Sequence, residues 1–162
     1  MEYLNFKDPA ASEILLEWWK NLDNYKGDRA MLRRCSSYDE VAFSPSFHRL
    51  RKELRSSGLN VNNERLAIVA GVISHVKDSP EGINYPQLMA TPKKKGDDPQ
   101  VSERRFEKLL SIEDPENLYS SMIRFVKLTG GSAPVPDLAN GLYWWNNRTK
   151  KEWALAYYEK IV

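Results

Sequence analysis

Residues 29–34 read RAMLRR, which places arginines at 29, 33 and 34 directly before the single cysteine, Cys35. Guanidinium groups at this density suit one chemistry above others, the forked, charge-assisted grip on phosphate or carboxylate oxygens. Arg29 and Arg33 are four residues apart and share a helix face, while Arg34 turns about 100° away. A second group, Arg49, Lys52 and Arg55, recurs every three residues and forms a ridge on a helix. A third, Arg104-Arg105, falls in the first turn of a helix beside Glu103. Helix N-termini are electropositive and favour acids, so two arginines there are unfavourable unless an anion joins them. The ordinary reading of each group is a solvated face, which is what a charge run usually is, with Arg104-Arg105 as partners of Glu107 or Glu113. From charge pattern alone both readings stay open.

Other chemistries find little support. No glycine-rich phosphate loop occurs, and Gly130-Gly131 reads as a helix C-cap. His48 and His75 have no nucleophile at recognisable spacing and read as packed or surface side chains. Glu113-Asp114 reads as a helix start and Asp97-Asp98 as a solvated turn. One cysteine and two histidines make no zinc-ligand pattern and no internal disulfide. The expectation is therefore a protein that is not an enzyme and uses no cofactor or metal, with a small metal-dependent nuclease kept as a rival for testing. The first residues, MEYLNFKDPAASE, lack a basic start and an apolar run and so are not expected to be a signal peptide, and the most apolar stretch, LAIVAGVISHV (66–76), is too short to span a bilayer. A reducing cytoplasm fits the lone thiol. Net charge is only +2 over 162 residues, so any nucleic-acid binding has to come from local segregation of charge.

The elements that would position these groups are helical. With 41% hydrophobic residues the chain can bury a core. Asp8-Pro9 and Ser44-Pro45 are helix starts. Ile14, Leu15, Trp18, Trp19 and Leu22 mark one buried face, and Phe47, Leu50 and Leu54 another. A helix over about 28–35 would pack through Met31 and Leu32. Asn62 or Asn63 caps a helix to about Val76 that is apolar nearly all round and so belongs at the centre. Residues 77–100 are punctuated by prolines and read as a loop, with one helical turn near 85–90 and the tip KKKGDD. Ser102 caps the next helix, with Phe106, Leu109 and Leu110 inward. Asp114-Pro115 opens another, and Leu118, Met122, Ile123 and Val126 face in. A helix near 136–146 follows, and Thr149-Lys150-Lys151-Glu152 reads as a capping box for the last. In the pairs Trp18-Trp19 and Trp144-Trp145 one member should be core and the other a second-layer, subunit or base-stacking contact. No strand pattern is present. The expected fold is all-α, about eight to nine helices in two bundled lobes, 1–90 and 102–162, joined by a charged loop at 91–101.

Three stretches in this order, LLEWWKNLDNYKGDRAMLRR, SERRFEKLL and LYWWNNRTKKEWALAYY, resemble the small subunit, of CasB type, of the type I-E CRISPR Cascade complex. The likeness spans nearly the whole chain except 77–100. It implies an all-α, two-lobed subunit that binds without catalysis. Its partners would be other Cascade subunits, a second copy of itself, the displaced DNA strand and the guide RNA with its target DNA, with no membrane. The implied role is to stabilise the R-loop in antiviral defence. The alternative is a helical protein-interaction scaffold with no direct nucleic-acid contact. Position by position, the likeness points to Arg33, Arg34, Arg104 and Arg105, then Arg49 and Arg124, then Arg148. Arg148 with Lys150-Lys151 would also suit subunit contacts.

Overall fold

The computed structural model describes residues 2–25 and 27–161, so Lys26 of the first quoted stretch lies outside the described residues. Among the described residues there are ten helices: α1 (Pro9–Asn21), α2 (Asp28–Arg33), α3 (Tyr38–Val41), α4 (Pro45–Ser56), α5 (Asn63–Ile73), α6 (Tyr85–Ala90), α7 (Glu103–Leu110), α8 (Pro115–Leu128), α9 (Val135–Tyr143) and α10 (Asn147–Ile161). The all-α expectation is borne out. One minimal addition is a parallel pair of two-residue strands, β1 (Glu2–Tyr3) on β2 (Leu59–Asn60), too short for any period-2 pattern to announce.

Local chemistry explains most helix ends. The side chains of Ser44, Asn62, Ser102 and Asp114 each accept a hydrogen bond from the backbone N–H three residues on. Asn84 and Gln87 form a reciprocal capping box that starts α6. The last helix differs from its expected start. Asn146 Oδ1 caps it by accepting from the Thr149 N–H at 3.0 Å, and α10 begins at Asn147. The Thr149 hydroxyl instead donates to the Trp144 carbonyl at 2.5 Å, so it is not free to act as the cap.

At the centre lies α5, buried from Leu66 through Ile73 and packed against α3, α8 and α9. Gly71 permits this closeness: a Cβ there would fall 2.6 Å from Tyr119 Cε1 and 2.9 Å from Val41 Cγ2. On the far side α6 packs on α10, with Tyr85 donating to or accepting from Thr129 Oγ1 at 3.1 Å. The Phe106 ring of α7 stacks on Tyr157 of α10, centroids 4.0 Å apart. These contacts fix α7 and α8 in relation to the centre. Buried apolar side chains from both halves of the chain form one cluster.

The tryptophans all pack. Trp18 and Trp19 are both buried and donate to the Ser46 and Val76 carbonyls; Trp144 and Trp145, partly buried, donate to those of Leu4 and Ile112. Tying an indole N–H to a carbonyl orients the ring inside the fold, which is how both members of each adjacent pair become packing groups.

Candidate nucleic-acid interface

Helices α7 and α8 are joined by the four residues 111–114 and enclose an open groove of about 690 Å³. Arg105 and Lys108, three apart on α7, stand on one side; Arg124 and Lys127, three apart on α8, stand on the other. All four are exposed. Leu109, Ile112, Phe125 and Leu128 form the apolar floor, and no carboxylate lines the groove among the described residues.

Arg124 is held in place by its own helix. Its Nη2 donates to Ser121 Oγ at 3.0 Å, and the Ser121 hydroxyl donates to Asn117 Oδ1 at 3.0 Å. Asn117, Ser121 and Arg124 follow the i, i+4, i+7 rhythm of one face, so the relay needs only that the helix form. Arg105 sits at the capped start of α7, its N–H donating to Ser102 Oγ at 3.3 Å. Arg104 is also exposed but points off the groove face, as its neighbour's position demands on a helix.

A second basic surface lies at the end of α2. An open hollow of about 570 Å³ is lined by Arg29, Arg33 and Arg34 together with Asp23 and Tyr25. The three arginines do different jobs. Arg29 donates to Asp23 at 2.8 Å and to the carbonyls of Trp19, Ser74 and Val76 at 2.8, 3.2 and 3.2 Å. It is a structural staple joining α1, α2 and the end of α5. Arg33 donates from Nε to the Ser74 carbonyl at 2.8 Å yet stays exposed. Arg34 is exposed and makes no ion pair among the described residues. The apolar side of α2 is narrower than expected. Leu32 is fully buried, but Met31 is 43% exposed, because a six-residue helix presents little more than one inward position per turn.

The end of α5 and the residues after it touch both elements: Arg33 donates to the Ser74 carbonyl, and the Lys77 N–H donates at 2.7 Å to the carbonyl of Gly131, just beyond α8. His75 lies in this stretch. Its pKa is lowered to about 4, first by burial and then by the positive charges of Arg33 and Lys127. One of those cations belongs to the α2 hollow and the other to the α7/α8 groove. His75 Nε2 is buried and has no hydrogen-bond partner among the described residues.

Two other arginines sit elsewhere. Arg49 forms an ion pair with Asp28 and lies 4.4 Å over the Tyr25 ring, tying α4 to the start of α2. Arg148 pairs with Glu152 one turn along α10 at 3.4 Å. The structure therefore brings together Arg105 and Arg124 in one groove and Arg33 and Arg34 in a separate hollow, with Arg104 on the same helix as Arg105 but outside the groove lining. Arg49 and Arg148 have carboxylate partners and line neither. Sequence reasoning did not single out Lys108, Lys127, Asn117 or Ser121. The signal was present as Arg105–Lys108 and Arg124–Lys127 at equal spacing on helices joined by a short loop. Among the described residues no group of three or more His, Cys, Asp or Glu could hold a metal ion, and no helix is long and apolar enough to cross a membrane.

The model of the family described as CRISPR-associated protein Cse2 matches residues 28–158. Among solved structures, a chain of the crystal structure of E. coli Cascade bound to a PAM-containing double-stranded DNA target is similar, with a TM-score of 0.74 at 21% identity. The match covers 95% of this chain and 98% of that one; at this identity it speaks for the fold. No curated protein sequence matches.

Proposed function

The chain belongs to the CRISPR-associated Cse2 family, and on that premise we propose that it is a non-catalytic subunit of a type I-E surveillance complex that holds the displaced DNA strand of an R-loop. The observation that supports this reading is the groove: four cations from two helices face one another with no opposing carboxylate among the described residues. A groove of this kind tracks a sugar–phosphate chain without reading base edges. In this reading the strand runs from the groove, past Lys127 and then Arg33, whose charges both reach His75, to Arg34. It thus crosses from the lobe 102–162 to the lobe 1–90, with 91–101 as the join. Arg104 supplies a flanking contact.

The energetics suit the task. Exchanging a DNA duplex for an RNA–DNA hybrid of similar stability is nearly balanced, so a modest grip on the displaced strand tips it. Each single-strand phosphate neutralised steepens the salt dependence by roughly 0.7. A chain of net charge +2 can meet protein neighbours over its remaining surface while one basic track meets DNA. Those neighbours are the other subunits, a second copy of this chain and the guide–target duplex; Phe43, 85% exposed, and Leu155, 72% exposed, are apolar handles for them. The complex works in the cytoplasm.

The test is retention of the open R-loop by a complex assembled with Arg105→Gln/Arg124→Gln, measured across a salt series. The expected result is normal assembly, faster loss of the displaced strand and a shallower salt slope. Unchanged retention, with crosslinks from the groove to protein alone, would establish the scaffold reading instead. Cleavage of labelled DNA in Mg²⁺ or Mn²⁺ would contradict the non-catalytic role.

A further inference from the structure

We infer that the hairpin carrying Lys93, Lys94 and Lys95 is a second, separate phosphate-binding element, a lysine finger that extends the DNA path beyond the α7/α8 groove. The inference rests on the strand-holding role proposed above and adds a site to it.

The base of this hairpin is locked into the fold. Pro92 and Pro99 pair as an antiparallel bridge, and the Gln100 N–H donates to the Thr91 carbonyl at 3.3 Å. Gln100 Nε2 donates to Leu88 O at 3.2 Å, and the Val101 N–H to Met89 O at 2.9 Å. Val101 is fully buried, and its own carbonyl accepts from the Tyr157 hydroxyl at 2.7 Å. The tip closes by Asp97 N–H donating to Lys94 O at 3.1 Å, with Gly96 at φ +91°, a conformation that favours glycine. Beyond the lock, all six residues 93–98 are exposed, and none forms an ion pair among the described residues. Three ammonium groups are thus held out from an anchored base.

The composition of the tip selects the partner. Residues 93–98 are Lys, Lys, Lys, Gly, Asp and Asp, with no apolar or aromatic side chain. Protein interfaces are built around apolar and aromatic anchors and are depleted in lysine. A phosphate chain needs no such anchor, and compact ammonium charges on long stems grip it without sequence preference. The charge is also sided. Lysines occupy one limb, and Asp97 and Asp98 occupy the other. A polyanion is drawn to the first and repelled by the second, which confines the strand to one flank. Two residues past the anchored Val101, α7 begins at Glu103, so the finger leads into the helix that carries Arg104 and Arg105.

The experiment measures binding of the full chain to a labelled oligo(dT) strand over a salt series. Lys93→Gln/Lys94→Gln/Lys95→Gln should make the salt slope shallower by about 2, at roughly 0.7 per phosphate contact, while Asp97→Asn/Asp98→Asn tightens binding. A control with three other exposed lysines changed, Lys20, Lys77 and Lys160 to Gln, should move the slope by less than half as much. Equal effects of the hairpin and control variants, or no effect of the hairpin variant, would overturn the finger. A photocrosslinker at position 94 in the assembled complex should label DNA; labelling of protein alone would also overturn it. If the groove variant Arg105→Gln/Arg124→Gln loses binding and the hairpin variant does not, the finger falls and the groove reading stands. The reverse pattern removes the groove and keeps the finger, and absence of binding by both the unaltered chain and its complex removes both.

Discussion

Arg33 and Lys127, from opposite halves of the sequence, both press on the imidazole of His75 and help hold it neutral. Arg33 also donates to the Ser74 carbonyl, and the Lys77 N–H to the Gly131 carbonyl just past α8, so the stretch around His75 touches both elements and can be read in solution. Phosphates bound at these two cations offset their charge, so binding of a single strand should raise the His75 pKa from about 4 toward 6.5. An NMR titration of the His75 imidazole with and without oligo(dT) measures this. A pKa that stays put on saturation would show that the strand avoids this stretch.

The same histidine gives a pH dependence of stability. Folding depresses its pKa, so between about 6.5 and about 4 the unfolded chain binds the proton and the folded one does not. This contribution is fully present above pH 6.5 and is lost as pH falls through the window to about 4. A His75→Gln variant should show a flatter decline of melting temperature over that range than the unaltered protein.

Ser121 positions Arg124 rather than touching the strand. Removing its hydroxyl in Ser121→Ala frees the guanidinium and leaves Asn117 without its donor. Losing one hydrogen bond of about 1 kcal/mol corresponds to roughly a fivefold weaker grip on oligo(dT). Ser121→Thr, which keeps the hydroxyl, should restore most of the affinity, and a loss of equal size in both variants would refute the positioning role.

The arginines of RAMLRR should separate cleanly. Arg29→Ala strips a shared donor from the Trp19, Ser74 and Val76 carbonyls and should lower stability by about 1–3 kcal/mol. Arg34→Ala should leave stability within about 0.5 kcal/mol and weaken strand binding. Urea unfolding and oligo(dT) binding on both variants decide it, and the opposite assignment would reverse the two roles.

Gly141 is the packing counterpart. A Cβ there would lie 2.5 Å from Trp153 Cζ2, so Gly141→Ala must displace a buried indole held between Tyr85 and Trp145. Overpacking of this kind costs about 1–3 kcal/mol. Thermal unfolding should show the loss, and an unchanged melting temperature would mean that the ring has room to move.

Much of this fold is written locally. Ser44, Asn62, Ser102 and Asp114 cap helices because a short polar side chain needs only the next turn of its own backbone. The apolar run of α5 announces a central helix because no face of it tolerates water. Local reasoning fails where a tertiary partner competes. Thr149 looks like a cap, but the Trp144 carbonyl claims its hydroxyl, and Asn146 takes over. Met31 looks inward but lies on a helix too short to bury two residues in succession.

The sequence by itself determined most of the helices, the caps at Ser44, Asn62, Ser102 and Asp114, the central place of α5 and the supply of arginines, since each depends on residues within a turn or two. Which arginines face an anion was decided only in three dimensions. Arg49 is drawn to Asp28 and Arg29 to a set of carbonyls, whereas Arg105 and Arg124 meet across a groove together with Lys108 and Lys127. A charge becomes part of a site or part of the scaffold according to its neighbours in space, and helix packing, not chain order, chooses those neighbours.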